Sequence, residues 1–533
     1  MHDRPLRLSR RALLAGAGLG LLAAGGSAPA SAASKKTRSV EKAKPATPTG
    51  TPLPIPRLVD LADGATFDLV AEPATHAFLK DKPVAVVGYG GTYMGPALRL
   101  KRGTRPKLRL VNRLDRPTNV HWHGLLVAGR ADGGSHPGVA PGAVWETELA
   151  VDQPAATLWY HAHVHGRTAD DVHDGLCGLM IVEDEASARL GLPSTWGVDD
   201  LPLVLQDRAF DEQGRPRYEK TAAIVEHGFH GAGMIVNGVT DPVARVPARL
   251  VRLRLLNAAS SRNFRLSFED QRSFRLIATD GGLLPEPADL SLLVLAPGER
   301  AEILVDFAEG SGVLLTGPDE HEHRMGAQVA MLPDVIDRPA RLLAFEVARD
   351  DRPSAAVPTR LADLPAPPKS TSGLKRRRFE LRVQANPAAM ASAGDHDHAA
   401  MSQGSMTHGA VGHDGRAAPA AEPPALLTIN GKSFAMGRID ETVKLGSTEI
   451  WEIVSPEMAH PFHLHGAHFR VLSEDGDKPK SWNRGVKDTV LVENSAELLV
   501  TFTRPAEADA PFLYHCHLLE HEDGGMMGAF VVR

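Results

Sequence analysis

Cysteine is almost missing from this 533-residue chain: Cys177 and Cys516 are the only two, so no disulfide framework holds the fold together. No basic block occurs in the folded part. With 59 Lys and Arg against 65 Asp and Glu, the formal charge is −6, and nucleic acid is not an expected partner. No apolar run in the body of the sequence is long enough to span a bilayer. Stretches of helical hydrophobic period are scarce, so helices are not the main element. At 43% hydrophobic and 23% charged residues the chain is not disordered, and its length suggests about three domains. Histidine is what stands out. Placed at random, 24 His would give roughly one His-x-His triplet; the sequence holds seven.

The first residues read as an address. Ser9-Arg10-Arg11 precedes an apolar run from Ala12 to Ala24, and Ala30-Ser31-Ala32 fits an A-x-A cleavage site. The paired arginines resemble a twin-arginine export signal, which carries folded proteins to the bacterial periplasm or the cell exterior. A signal peptide is therefore expected over residues 1–32, with a flexible Lys-, Pro-, Thr- and Ala-rich tail over 33–56. Beyond it, short alternating runs such as Leu108–Val111, Leu203–Leu205, Val251–Leu255, Ala301–Phe307 and Glu449–Val454 predict strands. Turn signals such as Asp280-Gly281-Gly282 and Ala296-Pro297-Gly298 separate them. This is the pattern of all-β sandwiches or barrels. Composition breaks divide the chain into domains over 57–190, 191–350 and 376–533, with a proline-rich linker over 351–375. Residues 386–424, rich in Ala, Gly, Met and His, form a low-complexity insert in the third domain.

Four stretches carry the chemistry: His121-Trp122-His123-Gly124; His161-Ala162-His163-Val164-His165; His460-Pro461-Phe462-His463-Leu464-His465; and His515-Cys516-His517, continuing to His521, Glu522, Met526 and Met527. On a strand, residues i and i+2 face one side, so each His-x-His aims two imidazoles into one space. Neutral imidazole suits copper, zinc, iron and nickel, and the count alone does not choose. The fourth stretch narrows the choice, because Cys516 points away from its two neighbours. A thiolate with two imidazoles and a weak thioether is the ligand set of a blue-copper site. Cys516, His521 and Met526 with His460 would supply it. Structural zinc would use more cysteines, and a cysteine nucleophile is the competing reading of a lone thiol near His.

The four stretches, in this order, resemble the copper-binding motifs of the multicopper oxidases. Asp280–Pro287 and Arg252–Asn257 resemble the second domain of bacterial members, so the resemblance covers nearly the whole chain beyond the tail. It implies three cupredoxin-like Greek-key β-sandwich domains and four copper ions. By position, a type 1 copper would take His460, Cys516, His521 and axial Met526, with Met527 as competitor. A type 2 copper would take His121 and His463. One type 3 copper would take His123, His161 and His517, and the other His163, His465 and His515. The resemblance further implies that electrons enter at the type 1 position, travel through Cys516 to His515 and His517, and reduce O₂ to water. Asp132 and Glu522 resemble the family's proton-delivery residues, although Asp132 also reads as a turn residue in Ala131-Asp132-Gly133-Gly134. His165 is left over, and Cys177 reads as a buried packing residue.

Laccases, bilirubin oxidases and cuprous oxidases share this core. The insert holds Met390, His396, Asp397, His398, Met401, Met406, His408, His413 and Asp414. Thioether sulfur favours Cu(I), and His with Asp can hold Cu(II). A Met- and His-rich insert here, with Met458 two residues before His460, resembles periplasmic copper-efflux oxidases. The expected substrates are therefore O₂ with Cu(I) or a small phenol, in copper tolerance and copper homeostasis, on a monomer. His321-Glu322-His323 with Met325 is a weaker metal motif or a solvated loop. The alternatives are a general laccase or bilirubin-oxidase-like enzyme and a non-catalytic copper buffer. A structural or division protein of this fold that has lost its coppers would show missing ligands, whereas here ten His and the Cys are present.

Overall fold

The computed structural model describes residues 50–135, 137–318, 336–350, 352, 354–368, 370–385 and 425–533. The expected signal peptide, most of the tail, the His321–Met325 motif and the whole insert 386–424 lie outside the described residues.

Strands carry the fold, and most form because their side chains alternate between core and solvent. In Lys107–Asn112, Leu108 and Leu110 point inward; in Ser495–Thr501, Ala496, Leu498 and Val500 do. Among the described residues the strands form six sheets, paired around the three largest apolar cores. The first core, with Leu69, Leu98, Leu110, Trp122, Tyr160 and Met180, lies between two four-stranded sheets. One is ordered Leu58–Asp60, Ala97–Lys101, Cys177–Glu183, Ala156–His161, and the other Lys82–Tyr89, Thr66–Leu79, Lys107–Asn112, Val144–Glu148. The second core, around Leu253, Phe264, Phe268, Ile303, Phe307 and Phe345, belongs to a six- and an eight-stranded sheet. The third, around Phe379, Trp451, Phe462, Leu498, Tyr514 and Phe530, belongs to two five-stranded sheets. Parallel pairings between strands distant in sequence, such as Thr66–Ala71 with Lys107–Asn112 and Lys375–Glu380 with Glu449–Val454, mark the cupredoxin-like sandwich, as expected. Among the described residues no helix is long and apolar enough to cross a membrane.

Two expectations are corrected. Residues 51–56, assigned to a flexible tail, are instead held on the second pair of sheets. Thr51–Pro52 pairs in parallel with Pro242–Val243, Asn237 Nδ2 donates to the Pro54 carbonyl at 2.8 Å, and Trp196 Nε1 donates to that of Pro56 at 2.9 Å. Prolines lack a donor but keep their acceptor, so such a segment can still sit on a sheet edge. Nor do the His-x-His pairs all lie on strands. His121 makes only an isolated bridge to His161, while His161, His463 and His515 lie on strands whose partners His163, His465 and His517 fall just beyond the ends.

The strand Leu250–Asn257 forms as its alternation predicts but is buried along its whole length. Its polar face, Arg252 and Arg254, meets Glu302, Asp200 and Thr157 instead of water. A second buried ionic group lies between strands of the second and third pairs of sheets. Arg300 grips Asp488 with two hydrogen bonds of 2.7 and 2.6 Å. Lys487 Nζ lies 3.1 Å from Asp280 and 3.0 Å from Glu299. Two cations thus face three carboxylates in a dry space. Burial pushes the Glu299 carboxyl up to about 7 against the pull of Lys487. Between the ordinary Glu value of about 4.3 and about 7, the folded chain binds a proton that the unfolded chain has released, so this group's stabilisation is lost as pH rises through that window. Glu299→Gln should flatten the decline in melting temperature between about pH 5 and pH 8. Calorimetry giving the same slope in both proteins would reject the assignment.

Candidate metal centre

Two buried donor sets meet on the two faces of the strand Phe512–Cys516. In its antiparallel pairing with His460–Leu464, Cys516 stands opposite Phe462 and His515 opposite His463, so the thiol faces the third core and the imidazoles face away from it. On the core side, ligand atoms of His460, Cys516 and His521 lie within 4.8 Å of one another. His521 Nδ1 is 3.7 Å from Cys516 Sγ, and its Nε2–H donates to the Glu226 carbonyl at 3.0 Å. Met526 packs in the same apolar cluster as Cys516. Met527, its competitor, lies in a different cluster with Leu513 and Ala529. Met458 packs against the Cys516 cluster from its edge. Burial pushes the Cys516 thiol well above its usual range, with a lowering contribution from the Leu518 N–H. A thiol so placed ionises when a metal ion takes the place of its proton.

On the other side, eight imidazoles share one dry space. Ligand atoms group as His163 with His465 and His515, His121 with His463 and His465, and His121 with His123 and His161. The Nε2 atoms of His163 and His465 each lie 3.3 and 3.2 Å from His515 Nε2. The His517 ring is 5.1 Å from that of His123 and 5.7 Å from that of His161, and neither of its nitrogens has a hydrogen-bond partner. Gly298 makes room for it: at φ 84°, any Cβ here would come within 2.9 Å of that ring.

Burial holds His123, His161, His163, His463 and His515 well below the ordinary imidazole range, and brings His465 to about 4 and His517 to about 3. These rings are neutral at pH 7, so each has one N–H and one free lone pair. Oxygen atoms fix which nitrogen is which. Nδ1 of His161 faces the Ala162 carbonyl at 2.9 Å, that of His463 the Asp488 carbonyl at 2.9 Å, and that of His515 the Cys516 carbonyl at 2.9 Å. His465 Nδ1 donates to Asp132 Oδ2 at 2.9 Å, and His123 Nε2 to Asp488 Oδ1 at 3.1 Å. The opposite nitrogens of His121, His123, His161 and His463 are buried without partners. Buried orphan nitrogens normally cost stability; here they are aimed together, as metal ligands are. The donor set of imidazoles, one thiol and one thioether fits copper.

Of the two expected proton-delivery residues, Asp132 ends the short helix Gly129–Asp132 and also touches two of the imidazoles, His465 and, at 3.2 Å, His121. Burial opposes its ionisation, but those two rings hold its carboxyl well below the carboxylate range. Glu522 lies 3.4 Å from His163 Nε2 and 3.3 Å from His515 Nδ1, and burial, then Asp523, raises it well above the carboxylate range. Sequence reasoning missed Asp488, Thr489 and Arg300. Thr489 Oγ1 lies 3.0 Å from His463 Nδ1 and 3.2 Å from His123 Nε2, and no motif surrounds them. His165 packs edge-on against Phe434, away from both sets. The Cys177 thiol is buried beside Trp159 and pushed up to about 12. The nine insert residues expected to bind copper lie outside the described residues.

Comparison with known proteins identifies the family. Two family models, both described as multicopper oxidase, match residues 71–187 and 397–533. The chain belongs to the multicopper oxidase family. It is 36% identical over 487 residues to the cell division protein FtsP of Xenorhabdus nematophila, covering 90% of this chain and 92% of that one. With the multicopper oxidase mco of Staphylococcus epidermidis it shares 33% over 473 residues, 87% and 88% of the two chains. The structure of the laccase-like multi-copper oxidase CueO from Ochrobactrum sp., described as active towards lignin model compounds and lignosulfonate, superimposes with a TM-score of 0.77 at 38% identity, covering 90% of this chain and all of that one.

Asp132 orients imidazoles of the inner set alone. Asp132→Ala should lower its copper retention or the turnover it supports by about 10–100-fold, while the absorption of the thiolate site persists. Copper analysis after dialysis, with a visible spectrum, checks both; unchanged copper and turnover would remove Asp132 from the centre.

Proposed function

We propose that this protein is an exported, copper-dependent oxidase that takes single electrons from a reductant and passes them to O₂. The observation that carries the reading is the strand Phe512–Cys516, which sets one thiol in an outer trio and its immediate neighbours in an inner nest of imidazoles. In this reading His460, Cys516, His521 and Met526 hold a type 1 copper. His121 and His463 hold a type 2 copper, and two type 3 coppers take His123, His161 and His517, and His163, His465 and His515. The bound coppers supply one-electron transfer and O₂ binding.

The chain's own residues do the rest. The peptide bonds on either side of Cys516 are the shortest covalent route from the outer trio to the nest. Asp132 and the Asp488–Thr489 pair hold rings in the tautomer that points a lone pair inward. Glu522 holds a proton at its carboxyl beside His163 and His515, where O₂ reduction requires protons. The balance is four electrons and four protons for each O₂ converted to two waters.

Cu(I) is the proposed physiological reductant, in copper tolerance. The insert leaves the ends of two paired strands at Ala385 and Ala425, and nearby Val383 packs, with Met458, on the cluster that contains Cys516. The described residues that flank the insert therefore lie close to the proposed electron-entry site. A twin-arginine signal and periplasmic delivery fit a protein that folds around metal before export. Phenol oxidation is a second reading, favoured by the likeness to a laccase-like enzyme. A role in cell division without turnover is a third, favoured by the name of a relative sharing 36% identity; a complete ligand set argues against it.

The copper-loaded protein should show an intense blue absorption that disappears in Cys516→Ser together with O₂ consumption. A colourless copper-loaded wild type would contradict the type 1 assignment, and a blue protein that consumes no O₂ with Cu(I) or a phenol would favour the division role or copper buffering. Deleting residues 386–424 should lower Cu(I) oxidation more than phenol oxidation; equal losses would remove the argument for Cu(I).

A further inference from the structure

The short helix Leu519–Asp523, which carries His521, is strapped down by a segment from elsewhere in the chain. Residues 218–229 run across residues 519–523, and each fastening joins those two stretches directly or through one side chain. Tyr218 Oη donates to Glu520 Oε1 at 2.7 Å. Lys220 Nζ bonds Asp523 at 2.8 Å and Asp170 at 2.7 Å. Ser261 Oγ donates to Glu520 Oε2 at 2.7 Å and accepts from the Phe229 N–H at 3.1 Å. Gly228 fits closely here, since a Cβ would meet Ser261 Oγ at 2.2 Å. Between these fastenings the helix Ala222–His227, capped by the Thr221 hydroxyl, lays Val225 on the Cys516 cluster. It also sets the Glu226 carbonyl on His521 Nε2.

This helix is one layer thick. Ala222, Ala223 and Glu226 are exposed on its outer face, while His521 beneath it is 0% accessible. The outer nitrogen of His521 is thus occupied by a backbone carbonyl, and a planar aromatic donor has no imidazole edge to lie against or hydrogen-bond. A small cation is not so hindered. The strap offers His227 Nδ1, which is buried without a hydrogen-bond partner, and the thioether of Met458 packs on the same cluster as Val225. Imidazole and thioether are ligands for Cu(I).

We propose that the strap 218–229 sets the substrate selectivity of the outer site, admitting electrons from Cu(I) and excluding bulky phenols by covering His521. This rests on the oxidase reading above. Glu226, Val225 and their fastenings Tyr218 and Lys220 are positioning residues, acting through access to His521. When Cu(I) is the donor each ion loses one electron and leaves as Cu(II). When a phenol is the donor it loses one electron and one proton and leaves as a phenoxyl radical. The strap changes which donor arrives and leaves the electron count unchanged.

Two variants loosen the strap in different ways. Tyr218→Phe with Lys220→Ala removes fastenings, and Ala222→Gly with Ala223→Gly weakens the helix at exposed positions. In the copper-free full chain, alkylation of Cys516 by N-ethylmaleimide, read by peptide mass spectrometry against Cys177 as internal reference, should quicken about fivefold in either variant. In the copper-loaded protein, kcat/KM for 2,6-dimethoxyphenol should rise about tenfold through a lower KM, while that for Cu(I) changes less than about twofold. Unchanged Cys516 labelling in both variants overturns the covering. Faster labelling with parallel changes, or none, in the two substrates overturns the selectivity and leaves the oxidase reading standing. A wild-type protein that oxidises neither donor overturns the oxidase reading and with it the selectivity, while the labelling still decides whether the strap covers the site.

Discussion

Eight imidazoles share one buried space, and the surrounding fold permits this by keeping seven of the rings neutral and tying the outer nitrogens of five to fixed oxygen atoms. Burial depresses the pKa of His123, His161, His163, His463, His465, His515 and His517, so that charge repulsion among them is absent at neutral pH. Carbonyls of Ala162, Asp488 and Cys516 and the carboxylates of Asp132 and Asp488 take the outer protons. What remains is a ring of inward lone pairs that the protein itself cannot satisfy. Such a cavity is costly in an empty protein and stabilising in a metal-loaded one.

Among the described residues the second pair of sheets contributes no side chain to either donor set, yet it shapes both. Arg300 enters the inner side and fixes Asp488, which in turn takes the His123 proton; Gly298, two residues earlier, gives His517 its room. On the outer side, the strap 218–229 and Ser261 hold the short helix that carries His521. Removing one partner of the fully buried Arg300–Asp488 pair would leave an uncompensated charge worth about 3–5 kcal/mol, which couples the integrity of the inner nest to sheets outside both donor sets.

Much of this was legible in the sequence because the signal is local. Alternation placed strands such as Lys107–Asn112 and Leu250–Asn257, and the four histidine stretches with Cys516 and Met526 named the donor set. What stayed hidden depends on contacts distant in the chain. His123 and Asp488 are 365 residues apart, His521 and Glu226 are 295 apart, and nothing near Asp488 or Glu226 distinguishes them from surface acids. The same blindness explains the correction at the tail and the full burial of the strand Leu250–Asn257. A Pro-rich segment reads as a tail unless its acceptors at Pro54 and Pro56 are known to find Asn237 and Trp196. An alternating strand reads as half-exposed unless Glu302 and Asp200 are known to cover Arg252 and Arg254. His121 and His123 come together with His161 although no strand spans them, and an isolated bridge ties His121 to His161.

The central claim is that one thiol and ten imidazoles hold two kinds of copper centre joined through Cys516. Metal analysis of the reconstituted wild-type protein, combined with its electron paramagnetic resonance spectrum, tests it most directly. Four copper ions per chain are expected. Two of them should be paramagnetic with distinct spectra, one from the thiolate site and one from the imidazole site, and two should be silent through coupling to each other. A protein that takes up zinc in preference, or copper that gives a single type of signal, would contradict it.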